Sequence, residues 1–498
     1  MNRVILIGLD GFRPEMMSEA LTPNLMALAQ EGVRCTHHRS VFPSETYVNV
    51  ASILTGVSPG AHGIVANKFF DPKIGRREPW AGSRVAMIEA GVAAYHGGLI
   101  TAPTLGDRLT RTGKRLWVFS GNSPGSARLK HPRVADCPGH LVIVGQCIDA
   151  SRPKQRVAEL VARLGRPPRP AVQGETFGVQ RYLTDAFLSL ASREGLPEAV
   201  VLWYGEPDHS YHSFGLGAEP TRAALRAVDG ELGRVIDWWR GHPERDRIQL
   251  IVTSDHGHIT QTQSVDTAGI LIRAGFRVGK YLDDDAELAL VPGYAGNIRL
   301  RQDDPGLRRA AVDALMSHPD TGLVFTSGGD GVEGAVPGTF DRRLVLLDHA
   351  RSPDIFFTLR ADDAEDRYGF TGTCRYDNGL PAGVGYHGGL HPAEMAPLLV
   401  MAGSAFAGGR MMEAPSSVMD VLPTMLSLLG EQQDGLEGRV LADALAASVS
   451  DEKGSNDADT DDERAPETLT VGRAGYSQAL QFSHWRGRRI LDHGRRLT

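Results

Sequence analysis

The chain has 498 residues, about three times the ~150 typical of one domain, which leaves room for a large core, an insertion and a tail. Lys and Arg number 53 against 60 Asp and Glu, a formal net charge of −7, and a mildly acidic chain lacks the basic face of a general nucleic-acid binder. Hydrophobic residues at 41% and charged residues at 23% exclude disorder of the whole chain.

The first element is Val4–Leu9, a six-residue apolar run cut off by Asp10. It is too short for a secretory h-region and carries no cleavage site. No stretch approaches the ~18 apolar residues of a membrane span, so a cytoplasmic protein without a membrane role is expected. Thr22-Pro23 predicts a helix start, with Thr22 as N-cap and Pro23 in the first turn. Val48 to Leu54 predicts a short helix stopped at Gly56, with Thr46 at its N-terminus. Short apolar runs recur at Arg115–Ser120, Val200–Tyr204, Ile248–Thr253, Asp354–Thr358 and Leu398–Ala402, as suits strands buried on both faces. Leu225, Val228, Leu232, Val235, Ile236 and Trp239 keep helical spacing up to Gly241. This alternation predicts an α/β sandwich around a mostly parallel sheet, with ligands at the carboxyl ends of the strands.

Residues 266–345 break the rhythm and are expected to form a small inserted α+β cap between core segments 1–265 and 346–446. The window 451–467 holds eight acids and two bases and has no apolar periodicity, so 447–467 is expected to be a flexible acidic linker. The Arg-rich extension 468–498, with six Arg and one Asp, is expected to add a strand or to pack on the surface. Cys35, Cys137, Cys147 and Cys374 form no CxxC pair and are expected to be reduced core thiols.

Chemistry collects where strands end. Asp10 follows the first strand, Asp208 and His212 follow the Val200–Tyr204 strand, Asp255 and His256 follow the Ile248–Thr253 strand, and His387 lies shortly before the Leu398 strand. Each alone reads as a turn residue, a cap or a local hydrogen-bonded pair. Together they are carboxylates and imidazoles at one sheet edge, a donor set that suits zinc or manganese and is enough for two adjacent ions given one bridging or added ligand. Thr46 is the candidate nucleophile, because free N–H groups and the dipole at a helix N-terminus favour an anionic oxygen. Its hydroxyl needs a base or a metal to react, and as an isolated residue it reads as a plain N-cap. Ser44 is a second candidate on chemistry alone. His391 competes with His387, which is preferred because Gly388-Gly389 permits a close backbone approach. His62, His209 and His258 lie near the motifs as supporting groups.

The segments ILIGLDGFRPE, TPNLMALAQEGV, FPSETYVNVASILTGVSPGAHGIVANKFFDP, EPDHSYHSFG and TSDHGH, followed by HGG at 387–389 and VLPTMLSLLG at 421–430, resemble in content and order the alkaline phosphatase superfamily. Within it the likeness is to the nucleotide pyrophosphatase/phosphodiesterase and phosphonoacetate hydrolase branch. The resemblance implies a parallel-sheet α/β core with a cap inserted between the SDHG and HG motifs. It implies two zinc-type ions, one held by Asp10, Thr46, Asp255 and His256 and the other by Asp208, His212 and His387. It further implies a Thr46 nucleophile and an Asn67 that hydrogen-bonds a phosphoryl oxygen; without the resemblance Asn67 reads as a turn residue.

Two departures bear on the substrate. Tyr211 stands where phosphodiesterase relatives usually have Gly, and no Phe-Pro-Asn follows Thr46. The expected activity is cleavage of a phosphodiester or pyrophosphate bond in a small nucleotide-type substrate, through a phospho-threonine intermediate. The alternatives are a C–P bond hydrolase, a phosphomonoesterase, a phosphosugar mutase or a non-catalytic binding relative. Arg128 and Lys130, in SGNSPGSARLKHP, are candidate anchors for a carboxylate or second phosphate, although alternating bases are more often a solvated face. A homodimer is among the options for assembly.

Overall fold

The computed structural model describes residues 2–75, 78–95, 98–169, 176–282, 285–446 and 465–498. Its main sheet has eight strands: β1 (Arg3–Leu9), β2 (Val33–Cys35), β3 (Leu116–Ser120), β4 (Leu141–Val144), β5 (Ala199–Tyr204), β6 (Ile248–Thr253), β7 (Leu399–Ala402) and β8 (Arg410–Met412). They lie in the order β8-β2-β7-β6-β1-β5-β3-β4. The six apolar residues at 4–9 carry no alternation because both faces are covered. Val4 and Leu6 enter one core cluster, while Ile5, Ile7 and Leu9 enter the other.

Register decides where the chemistry falls. β1 runs parallel to β5 and β6, with Leu9 opposite Tyr204 and Gly8 opposite Thr253. β3 runs parallel to β5, with Ser120 opposite Trp203. The carboxyl ends of four strands therefore share one edge. β7 is antiparallel to β6 and pairs Leu399 with Thr253, so the loop before β7 reaches that same edge.

Other elements hold the edge in place. A helix over Thr46–Thr55 ends at Gly56, whose φ of 68° is a left-handed stop suited to glycine. The helix Glu219–Gly241 packs its apolar stripe on the sheet. The helix Pro23–Glu31 begins where expected, but Thr22 does not cap it with its side chain. Its hydroxyl accepts from the Ser18 N–H, and Asp229 receives the Asn24 and Leu25 N–H groups instead. That partner lies about 200 residues away in sequence and no local pattern announces it.

A second, six-stranded sheet takes strands from Val278–Gly279 through Ile355–Leu359, and PGLRRAAVDALM forms the helix Pro305–Met316 beside it. Ile355–Leu359 was expected among the parallel core strands; it pairs antiparallel with Ala295–Leu300 and Thr321–Thr326 instead. Phe356 enters one core cluster and Ile355 and Phe357 another, so burial on both faces gives the same apolar run in either setting. Residues 447–464 of the expected acidic linker lie outside the described residues; Glu467 already begins a strand. Glu467–Arg473, Tyr476–Trp485 and Arg488–Arg496 form an antiparallel sheet that buries Leu480 and Phe482 in the core. The cysteines are free thiols, and Cys147 is exposed rather than in the core. Among the described residues no helix is long and apolar enough to cross a membrane.

Candidate metal centre and phosphoryl-transfer site

Asp10 leaves β1 wholly buried. Its Oδ2 accepts from Asn122 Nδ2 at 2.5 Å and from the Trp203 indole N–H at 2.8 Å, while Oδ1 has no partner among the described residues. Asp255 leaves β6 in the same way: Oδ1 accepts from the Gly11 and His256 N–H groups, both at 3.1 Å, and Oδ2 is left without a partner. His256 donates from Nδ1 to the Gly257 carbonyl at 3.0 Å, which turns its Nε2 lone pair inward. That nitrogen lies 3.9 Å from Asp10 Oδ1, 3.4 Å from Asp255 Oδ2 and 3.1 Å from Thr46 Oγ1.

The second group centres on Asp208 Oδ1, with His258 Nε2 at 2.9 Å, His212 Nε2 at 3.3 Å and His387 Nε2 at 3.6 Å. His212 and His387 each bond a backbone carbonyl from Nδ1, those of Gly385 and Ser44, both at 2.8 Å. This fixes the tautomer that leaves Nε2 free to ligate. The rings of His256 and His387 stack with centroids 3.7 Å apart and join the two groups. Gly388 and Gly389 donate their N–H groups to Glu394, which anchors the loop of His387.

Electrostatics match the crowding. Burial, with Asp255 and Asp208 nearby, pushes Asp10 well above the usual carboxylate range, and burial also raises Asp255. Burial acts in the same direction on Asp208, but His212 and His258 outweigh it and hold that carboxyl well below the usual range. Burial, helped by the other imidazoles, keeps His387 neutral. Two buried carboxylate oxygens without donors and inward-facing imidazole nitrogens fit divalent metal of the zinc or manganese type.

Thr46 is the first residue of its helix and is 7% exposed. Asn67 accepts the Tyr47 N–H at 3.0 Å through Oδ1, which leaves its NH2 group for the cleft. The cleft of about 1160 Å³ is lined by Glu45, Asn67, Lys68, His212, Tyr386 and His387, with Ile272, Tyr281 and Leu380 toward its mouth.

The structure thus brings together Asp10, Thr46, Asp255 and His256, and beside them Asp208, His212 and His387. His391 points elsewhere: its Nδ1 accepts from Ala393 N–H and its Nε2 meets Asp363. Ser44 bonds the Gly389 carbonyl and Glu394, a loop-holding role. Arg128 and Lys130 do not reach the cleft. Arg128 has Arg152, Glu89 and Asp136 for electrostatic neighbours, and Lys130 is wholly buried beside Trp203. Arg128 lies in the helix Pro124–Leu129 and Lys130 is its C-cap. Sequence reasoning missed Asn122, Trp203 and Glu45, and gave His258 only a supporting place. The signals were present: Asn122 lies two residues past the end of β3, Glu45 precedes Thr46, and His258 is two residues after His256.

An alkaline phosphatase-like α/β protein with a two-part metal-competent centre is the class defined by this fold and site. The profile of the type I phosphodiesterase / nucleotide pyrophosphatase family matches residues 4–361, and the chain belongs to that family. It is similar to mouse ectonucleotide pyrophosphatase/phosphodiesterase family member 7, 25% identical over 264 residues, covering 52% of this chain and 50% of that one. An uncharacterized pyrophosphatase/phosphodiesterase of Schizosaccharomyces pombe is 46% identical over 74 residues, 15% of each chain. The chain thus spans half or less of the length of these curated relatives. In fold it resembles mouse ectonucleotide pyrophosphatase/phosphodiesterase 5, an inactive variant in complex with AMP, at a TM-score of 0.63 and 18% identity, covering 90% of this chain and all of that one.

Proposed function

We propose that the protein is a two-metal phosphohydrolase that cleaves a phosphodiester or pyrophosphate bond of a small nucleotide-type substrate through a phospho-threonine intermediate. The observation that carries this reading is the Thr46 hydroxyl at a helix N-terminus, 3.1 Å from His256 Nε2, beside two buried carboxylate oxygens without donors. Family membership and the AMP complex of the mouse structural relative support the substrate class.

Asp10, Thr46, Asp255 and His256 would hold one divalent ion, and Asp208, His212 and His387 the other, with His258 bonded to Asp208. Two such ions, when bound, supply positive charge that lowers the pKa of a hydroxyl nucleophile and stabilises a leaving oxygen. The chain's own residues do the rest. Thr46 Oγ1 loses its proton to solvent water and attacks phosphorus, forming the threonyl P–O bond as the bond from phosphorus to the leaving oxygen breaks, and the leaving group departs as an oxyanion that takes a proton from water as needed. Asn67 Nδ2 donates to a non-bridging oxygen, and the free N–H groups of the Thr46 helix face the same charge. Water then attacks phosphorus, the threonyl P–O bond breaks as the new P–O bond forms, and a proton from that water restores the Thr46 hydroxyl.

The test is a panel of chromogenic diester, monoester and phosphonate substrates with added zinc or manganese, run on the parent chain and on Thr46→Ala. Diester turnover should dominate in the parent. The variant should lose at least ~10³-fold in turnover, while Asp10, Asp255 and His256 still retain its metal. Parent-level turnover in Thr46→Ala would sink the assignment, and dominant phosphonate cleavage would move it to C–P hydrolysis.

A further inference from the structure

Lys130 is one of the two expected anchors, with Arg128, that do not line the cleft. It is 0% exposed. Among the described residues its Nζ makes one hydrogen bond, to Ser126 Oγ at 3.1 Å, and it lies 5.1 Å from the centroid of the Trp203 ring. That same indole gives its N–H to Asp10 Oδ2. Removing an ammonium from water costs several kcal/mol, and one hydroxyl and one aromatic ring offset only part of that cost. The rest of the compensation is charge. Burial alone would depress the ammonium further than it does, and the Asp10 and Asp255 carboxylates pull it back, leaving it lowered to about 8.

We propose that Lys130 is a positioning residue for the metal centre: a buried cation, set across Trp203 from Asp10, that serves as counter-charge to Asp10 and Asp255 when no metal is bound and weakens metal binding when it is. This inference rests on the metal reading of the site given above. Without metal, Asp208 and Asp255 crowd Asp10 in a dry environment and raise it, and the attraction that Asp10 and Asp255 exert on the Lys130 ammonium offsets part of that crowding. With metal, the ammonium and the ions repel one another. Removing it should therefore push the two states in opposite directions, which loss of packing alone would not do.

The experiment uses the full chain stripped of metal, at pH 7, below the value of about 8 to which the Lys130 ammonium is lowered, so that it is mostly charged. Zinc affinity is measured by competition with a chromogenic chelator, and melting temperature is measured with and without zinc, for the parent, Lys130→Met and Lys130→Gln. The variants should bind zinc at least ~10-fold tighter, and their metal-free forms should lose more melting temperature than their zinc-loaded forms. Equal or weaker zinc binding, or equal losses in both forms, would overturn the proposal. Should a variant fold only when zinc is supplied, the counter-charge role is supported. Failure of both to fold even with zinc would make Lys130 a packing element and overturn it. If the parent itself binds no zinc or manganese, the metal reading fails first, and that result is distinct from equal affinity in parent and variants.

Discussion

The sharpest test of the centre's construction is Asn122→Ala. Asp10 Oδ2 accepts two hydrogen bonds, from Asn122 at 2.5 Å and from Trp203 at 2.8 Å, and these aim Oδ1 at His256. A hydrogen bond to a charged group contributes about 1.5–3 kcal/mol. At about 1.4 kcal/mol per decade, its loss corresponds to about 10- to 150-fold in the affinity for a metal bound by Asp10. That range agrees with the ~10- to 100-fold typical when a partner of a metal ligand is removed. The Asn122 bond also pulls Asp10 down against burial and the neighbouring Asp255 and Asp208. Without it Asp10 binds its proton more tightly, and that proton competes with the metal more strongly as pH falls. The deficit should therefore be larger at pH 6 than at pH 8. Zinc competition against a chelator on the metal-stripped full chain reads both quantities. An Asn122→Ala protein that binds zinc like the parent at both pH values would refute the reasoning. The expected sign is opposite to that for Lys130, so the two variants check each other.

Two further outcomes follow from neighbouring residues. A Cβ at Gly8 would lie 2.2 Å from the Trp203 ring, so Gly8→Ala should cost about 1–3 kcal/mol or more in stability and displace the indole from Asp10; parent-like melting temperature and zinc affinity would contradict this. Burial lowers the His62 imidazole to about 3, and its Nδ1 accepts the Ile64 N–H while Nε2 meets Ser52. The unfolded chain takes up this proton near pH 6.5 and the folded one only near 3, so stability is lost as pH falls through that window, by about 2 kcal/mol at pH 5. In His62→Gln the urea-unfolding free energy should drop less between pH 8 and pH 5, by about that amount, and an unchanged drop would rule this out.

What the sequence made legible was the part governed by local pattern. Val4–Leu9, Val200–Tyr204 and Ile248–Thr253 read as buried strands because both faces are covered, and the polar residue after each was conspicuous for the same reason. Thr46 was placed at a helix start because Gly56 marks the other end. Long-range pairing stayed hidden. Ile355–Leu359 has the same apolar run whether its neighbours are parallel or antiparallel, and only the partner strands decide. Lys130 and Arg128 looked like surface anchors because a charged side chain is seldom fully buried. The compensation for Lys130 comes from Trp203, Asp10 and Asp255, all distant in sequence. His258 was underrated because its partner, Asp208, is 50 positions away.

The strands over 467–496 brace the site from a part of the chain remote from its ligands. The Gly494 N–H donates to the Leu390 carbonyl at 2.9 Å, three residues beyond His387, and the same strand region sends Arg496 to the carbonyls of His318 and Thr321. The Gln478 side-chain amide accepts the Val324 N–H through Oε1 and donates from Nε2 to the Val324 carbonyl. The Asp10–Asp255–His256 group rests on β1 and β6 of the main sheet, whereas the loop of His387 leans on a strand remote in sequence that carries none of the ligands named above.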